Sequence, residues 1–400
     1  MIIGIPSEIK TGERRVAMSP VNVKSLTDKG IKVLFQANAG NASGYPDAEY
    51  EQAGATITTD RAEIFAAADI LLQVQSFGSN NDNSDGDLAS LRSGQVVIGM
   101  MDPLATPSAA QAVAGTGATA IALELVPRIS RAQSMDVLSS MATLAGYKAV
   151  LMGASASPRI FPMLMTAAGT LKPARVLIMG VGVAGLQACA TAKRLGALVE
   201  AYDVRPAARE QIISVGAKPV ELDLDTGESE GAGGYAKAQG EDFLRRQREL
   251  MTVVIAEQDI IITTAAIPGA KSPILVTEDM VKAMKPGSVI VDLAAERGGN
   301  CDLTQQGKTI IAHGVTIIGP ENVPSELAYH ATQMYGKNLQ TLLELIIDGE
   351  GNLNLDFKDE IVAGTVVAHR GDVPHPHMRK LLGLPELAAS TDTIDVKKGA

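Results

Sequence analysis

The stretch ARVLIMGVGVAGLQACATAKRLGALVEAYDVR, Ala174 to Arg205, decides the fold. An apolar run, Val176–Met179, leads straight into Gly180, Gly182 and Gly185, which have the G-x-G-x-x-G spacing. A helical pattern follows over Val183–Leu195, then a second apolar run from Val199 to Asp203. Strand, glycine turn, helix and strand in that order form the opening unit of a dinucleotide-binding α/β fold. Gly180 permits the tight turn, Gly182 lets the backbone approach a pyrophosphate, and Gly185 lets the helix pack closely on the strand. The free N–H groups and positive dipole at the helix start, around Val183 and Ala184, would hold the phosphates. Asp203 lies 18 positions after Gly185, at the strand end. A carboxylate there accepts hydrogen bonds from the adenosine ribose and repels a 2′-phosphate, which selects NAD(H) over NADP(H). Val204 and Arg205 follow it. An arginine so placed is the residue type that accommodates a 2′-phosphate, and the carboxylate at the strand end is taken to decide.

Working outward, the same block has further strand-like runs at Asp259–Thr264, Ser288–Leu293 and Val315–Gly319. Helical patterns at Ala207–Val215, Glu241–Glu257 and Thr277–Met284 separate them. A second block precedes it, with runs at Ile2–Ile5, Ile31–Phe35, Ile70–Val74, Val96–Gly99 and Thr119–Leu123 and helical patterns at Val21–Lys29, Arg61–Ala67 and Ser108–Gly115. Strands apolar on both faces and separated by helices imply parallel sheets covered on both sides. A helix from about Met135 to Ala154, capped by Ser134 or Asp136, joins the blocks, and another from about Tyr329 to Ile347 crosses back to the first. The expected fold class is α/β, with two Rossmann-like doubly wound domains, parallel sheets and a cofactor cleft between the domains. The expected boundaries are a discontinuous N-terminal domain, 1–135 plus about 328–385, an NAD(H)-binding domain, 136–327, and a disordered tail, 386–400. The glycine-rich stretch Leu224–Gly240 reads as a lid or a disordered segment.

Composition narrows the function. A net charge of −10 argues against a nucleic-acid binder, which needs clustered Lys and Arg to neutralise phosphates. The two cysteines, Cys189 and Cys301, make neither a disulfide framework nor a metal-ligand spacing. His375 and His377, with Asp372 nearby, make a weak metal set, so no metal is expected. The opening MIIGIPSEIK does not read as a signal peptide, and Val137–Ala156, the stretch nearest to a spanning helix, carries Lys148, Tyr147 and several serines. It reads as a buried or connecting helix.

Three further segments carry a family resemblance: PRISRAQSMD, Pro127 to Asp136; GAGGYAKAQGEDF, Gly231 to Phe243; and TTAAIPG, Thr263 to Gly269, with MKPGSVIVDLAAERGGNC, Met284 to Cys301, behind it. With these the chain resembles, from IPSEIKTGERRVAMSP to about residue 370, the NAD(H)-binding alpha components of proton-translocating NAD(P) transhydrogenases, a family related to alanine dehydrogenase. The resemblance implies hydride transfer between NAD(H) on this chain and NADP(H) on a partner beta subunit, coupled to proton translocation through a membrane-spanning subunit. It implies a homodimer in the cytoplasm, peripheral to the cytoplasmic face of a bacterial inner membrane. It places Arg128, Gln133 and Asp136 in a loop beside the nicotinamide ring, with Ile129, Ser130, Ser134 and Met135 in the same segment and Ser139 one helical turn on. Tyr235 would sit on a mobile loop closing over the nucleotide, with Gly234 and Gln247 near the cofactor, and Ala266 would line the nicotinamide pocket, where relatives often carry a larger aliphatic residue.

From the residues alone, Arg128, Gln133 and Asp136 bring a cation, an amide and an anion to the start of one helix. Such a set can hydrogen-bond a carboxamide and ribose hydroxyls. It equally fits a solvated helix start with a surface ion pair, and Tyr235 equally fits a loop tyrosine packed on the surface. The five histidines, His313, His330, His369, His375 and His377, all lie beyond residue 312. In the alanine dehydrogenase relatives, Arg15 of GERRVAMSP would match a carboxylate-binding arginine. Their substrate lysine would fall in ILLQVQSF, where Gln75 stands, and their histidine in VIGMMDPLA, which has none. The machinery for oxidising alanine therefore reads as missing, whereas transfer between two nicotinamides needs no acid or base, only two held rings. An alanine dehydrogenase-like oxidoreductase and a non-catalytic NAD(H)-sensing module are the alternative readings.

Overall fold

Strands buried at every position dictate the layers. Ile70–Gln75, Thr119–Ala122, Ile260–Thr263 and Val289–Asp292 are all of this kind, and such strands need helices on both faces of their sheet. The computed structural model describes residues 1–80, 82, 84–222, 241–267 and 269–386. The chain divides into two compact units, Met1–Met141 with Ser325–Ala400, and Ala142–Pro324.

In the first unit the described residues build a seven-stranded sheet in the order Val366–Ala368, Thr119–Ala122, Val96–Met100, Ile70–Gln75, Ile2–Ile5, Lys32–Gln36, Thr56–Thr58. All neighbours are parallel except the first pair. In the second unit the order is Lys218–Pro219, Leu198–Tyr202, Arg175–Met179, Ile260–Thr263, Val289–Asp292, Val315–Gly319, Lys308–Ala312. Only the last pair is antiparallel. With the antiparallel edge strand set aside, the six parallel strands numbered along the chain lie 3-2-1-4-5-6, the doubly wound order, with the crossover reversing between Arg175–Met179 and Ile260–Thr263. The α/β, doubly wound class read from the sequence holds for both units.

The departures have local causes. The edge strands Thr56–Thr58, Val366–Ala368 and Lys308–Ala312, and the hairpin Leu164–Thr166 with Gly169–Leu171, have no counterpart in the sequence reading. Val366–Ala368 is buried but only three residues long, and the others are exposed or half-buried and leave no buried apolar run. The joining helix spans Val137–Ala156 rather than starting at Met135. Ser130–Met135 wind as a 3-10 stretch, Asp136 is extended, and its Oδ1 accepts the Ser139 N–H at 2.8 Å. Asp136 is thus the cap, and Ser134 is not. Among the described residues this helix alone is long and apolar enough to cross a membrane by length and composition. A Cβ on Gly146 within it would lie 2.0 Å from the Ala184 carbonyl oxygen, so this side of the helix packs on the start of Val183–Arg194.

Candidate nucleotide site

At the carboxyl edge of the second unit's sheet, Met179 is in register with both Tyr202 and Thr263. The turn at Gly180, the carboxylate of Asp203 and the loop from Thr264 therefore leave the sheet side by side at the switch point, where open α/β sheets bind ligands. Gly180 has φ +91°, and a Cβ there would meet the Ala265 nitrogen at 2.9 Å. A Cβ on Gly185 would lie 2.0 Å from the Gly180 carbonyl oxygen. Only glycine meets the first demand without strain and the second without moving backbone. Gly182 caps the helix Val183–Arg194 and has open space where a Cβ would point. That helix has Lys193 and Arg194 in its last turn and no acidic residue in its first, so its positive end is not neutralised by its own side chains.

Asp203 ties the turn to the sheet. Its Oδ2 accepts the Val181 N–H at 2.7 Å and its carboxylate forms an ion pair with Arg205 at 2.9 Å. Gln247, 2% exposed, donates to the Tyr202 hydroxyl at 2.8 Å, so it supports the residue next to Asp203 from behind. Ala266 is exposed in the loop after Ile260–Thr263. Gly234 and Tyr235 lie outside the described residues, as do 387–400 of the expected tail.

Sequence reasoning missed what holds the Ala266 loop. Asn300, fully buried, accepts the Ala265 N–H at 2.9 Å and donates to the Ala265 and Pro273 carbonyls, both at 2.8 Å. Asp292, also fully buried, accepts from the Asn300 N–H at 2.7 Å and from the Thr263 and Thr304 hydroxyls at 2.9 and 2.6 Å. Thr264 donates to the Gly180 carbonyl at 2.8 Å, linking this loop to the glycine turn. The one signal was the polar Asn300 after the paired glycines of ERGGNC.

In the first unit, the segment Arg128–Ser139 forms a fixed platform. Ala132 and Met135 are buried, the Asn338 amide donates to the Ser134 carbonyl at 2.8 Å, and Arg131 makes two bonds to Asp359 at 2.7 and 2.8 Å. Ser139 Oγ donates to Asp136 Oδ2 at 2.6 Å. Arg128, Ser130, Gln133 and Ser134 are exposed on this platform, and Ile129 and Asp136 are half-buried. The loop residues singled out in the sequence thus sit together, on a backbone anchored from inside.

The same unit encloses a second polar group around Arg15. The Arg15 guanidinium is bound at 2.7 and 2.5 Å by Glu13, and the two side chains are 1% and 0% exposed. Gln75 donates to Glu13 Oε2 at 3.2 Å, and Tyr335 donates to the Gln73 carbonyl at 2.8 Å. The Glu8 carboxylate accepts the Val74 and Gln75 N–H groups at 2.7 and 2.9 Å. Loss of water, then the neighbouring Glu13, push its pKa from 4.5 up to about 8, against the pull of those bonds and of Arg15. Burial likewise pushes Glu124 up to about 7. Both folded values lie above the unfolded one, so these groups contribute stability fully below about pH 4.5 that is lost as pH rises through about 7 and about 8. The contribution of these two carboxyls to the denaturation midpoint should therefore fall between about pH 5 and about pH 8.5, against a rise in the lower part of that range from His369 and His375, which burial holds below the ordinary imidazole value, and Glu8→Gln should flatten the fall. An unchanged slope in that variant would remove Glu8 from the explanation.

Both cysteines are buried, which pushes Cys189 up to about 12 and Cys301 up to about 11. His375 accepts the Met378 N–H as a helix cap and Asp372 accepts from Arg379 at 2.7 Å. Among the described residues no cluster of His, Cys, Asp or Glu is arranged for a metal ion.

Comparison with known proteins adds independent findings. Family models described as "Alanine dehydrogenase/PNT, N-terminal domain" and "Alanine dehydrogenase/PNT, C-terminal domain" match residues 4–145 and 149–376. The chain is 47% identical over 378 residues to the first of the polypeptides that make up NAD(P) transhydrogenase subunit alpha in Rhodospirillum rubrum, covering 94% of this chain and 98% of that protein. It is 40% identical to NAD(P) transhydrogenase subunit alpha of Haemophilus influenzae, covering 100% and 76%. A solved transhydrogenase from Sinorhizobium meliloti matches with a TM-score of 0.83 and 46% identity over 93% of this chain and 100% of that one. A solved L-alanine dehydrogenase, at 24% identity and a TM-score of 0.78 over 96% and 99%, shares the fold.

Proposed function

This chain belongs to the alanine dehydrogenase/PNT family, and from that premise we propose that it binds NAD(H) and exchanges a hydride with NADP(H) held on a partner beta subunit. The observation that carries the reading is the glycine turn at the switch point, leading into an uncompensated helix start with Asp203 beside it. These residues fit the group: Gly182 leaves room for a pyrophosphate, Val183 and Ala184 offer their N–H groups to it, and Asp203 stands at the ribose position. When bound, NAD(H) supplies or accepts a hydride at the nicotinamide C4. The chain's own contribution is to hold the adenosine and phosphates through the second unit and to orient the ring through Arg128, Gln133 and Asp136, with Ser139 bracing the aspartate. Ile129, Ser130, Ser134, Met135, Gly234, Tyr235, Gln247 and Ala266 complete the proposed set.

The partners are a second copy of this chain, the NADP(H)-binding subunit, and a membrane-spanning subunit through which the transfer drives proton translocation. The chain works on the cytoplasmic face of a bacterial inner membrane. Oxidation of an amino acid by the chain alone finds no support in the first unit, where the Arg15 guanidinium already binds Glu13.

The test is selectivity. NADH should bind more tightly than NADPH in calorimetric titration. Asp203→Ala should weaken NADH by about 1–3 kcal/mol, the worth of a charged hydrogen-bond acceptor, and narrow the gap. Equal binding of the two nucleotides by the wild-type chain, or a gap that Asp203→Ala leaves intact, would reject Asp203 as the discriminator.

A further inference from the structure

The Asp203 carboxylate is saturated by the protein itself. Oδ1 accepts the backbone N–H of Arg205 and its side-chain Nε–H, both at 2.9 Å. Oδ2 accepts the Val181 N–H at 2.7 Å and Arg205 Nη2 at 2.9 Å. An ionised carboxylate offers about four acceptor positions, and here all four are taken. Two of them go to the guanidinium of one side chain. The same Nη2 also donates to the Val181 carbonyl at 3.1 Å, so the guanidinium lies across both the carboxylate and the rim of the glycine turn. The Arg205 side chain is 15% exposed and that of Asp203 6%, which makes arginine the outer member of the pair.

We infer that Arg205 is a specificity-determining residue of the nucleotide site: its guanidinium occupies the acceptor positions on Asp203 that the adenosine ribose needs, and it stands ready to bind a 2′-phosphate. The inference rests on the NAD(H) reading of this site. A ribose diol must displace the guanidinium from Asp203, so Arg205 weakens NADH. A 2′-phosphate meets a carboxylate screened by a bidentate cation that can turn to it, so Arg205 softens the rejection of NADPH. The Val181 N–H bond belongs to the main chain of the turn and remains in either case.

The experiment titrates the full chain and its Arg205→Ala and Arg205→Lys variants with NADH and NADPH. It adds 5′-AMP and 2′-AMP to isolate the adenosine end. Arg205→Ala should tighten NADH and 5′-AMP by about 3- to 10-fold and weaken NADPH and 2′-AMP by a similar factor, the scale of one charge-assisted hydrogen bond gained or lost. Arg205→Lys keeps the charge without the fork, so it should retain most of the NADPH and 2′-AMP binding while releasing Asp203 in part. If both nucleotides weaken together in both variants, or neither moves, Arg205 only supports the loop and the inference is overturned. A wild-type chain that binds neither NADH nor 5′-AMP would overturn the nucleotide reading itself. A wild-type preference for NADH that Arg205→Ala leaves unchanged would overturn this inference alone.

Discussion

Glu13→Ala is expected to lower the unfolding free energy by about 3–5 kcal/mol, the scale of breaking a buried ion pair from one side. The loss is large because of what stays behind. Glu13 Oε1 accepts Arg15 Nε and the Arg14 and Arg15 N–H groups at 2.7, 3.1 and 3.0 Å, and Oε2 accepts Arg15 Nη2 and Gln75 Nε2 at 2.5 and 3.2 Å. Without the carboxylate, a guanidinium that is 1% exposed keeps its charge. Removing both charges should be milder than removing one, so Glu13→Ala with Arg15→Met should recover much of the loss. The single variant should also reduce the fall of stability with pH, because Glu13 helps hold Glu8 protonated while Arg15 opposes it. Urea denaturation reads both effects. A loss of about 1 kcal/mol or less, as for an exposed pair, would show that this cluster is solvated in solution.

Gln133→Ala is expected to bind NADH almost as well as the wild-type chain and to transfer hydride about 100-fold more slowly to the partner's nucleotide. Affinity for a dinucleotide comes mainly from its phosphates and adenosine ribose, which the glycine turn and Asp203 are proposed to serve. Rate comes from ring placement, and a displacement of about 1 Å costs on the order of 100-fold. Gln133 is exposed on a backbone whose neighbours are fixed: Ala132 and Met135 in the core, Ser134 by Asn338, Asp136 by Ser139. Removing its amide should therefore leave the loop standing. The pH dependence of the chemical step should not change, because the proposed transfer moves no proton. Wild-type transfer rates in Gln133→Ala and Arg128→Ala would detach this loop from the reacting ring and leave only the glycine-turn site.

Much of this arrangement was legible in the sequence because it rests on backbone demands. The positive φ of Gly180 and the 2.0 Å approach at Gly185 tolerate one residue type, and that leaves a pattern. Fully buried strands such as Ile260–Thr263 leave apolar runs of strand length. What stayed hidden depends on contacts distant in sequence. Asn300 reaches Ala265 across 35 positions, and Gln247 reaches Tyr202 across 45. The resemblance to alanine dehydrogenases matched Arg15 to a carboxylate binder, but Glu13, two residues away, could not be read as its occupant without the fold. The Arg205 fork on Asp203 was hidden for a related reason: the sequence shows the pair, and only geometry shows that the carboxylate's acceptor positions are used.

The most direct measurement mixes this chain with the proposed NADP(H)-binding partner, NADP⁺, and NADH carrying deuterium at the transferred position of C4. Direct transfer between the two rings predicts NADPH that carries the deuterium in full, with a primary isotope effect and no exchange with water. Deuterium lost to solvent would contradict it. So would a chain that binds NADH yet never yields NADPH with the partner present, or one that reduces NAD⁺ with alanine on its own.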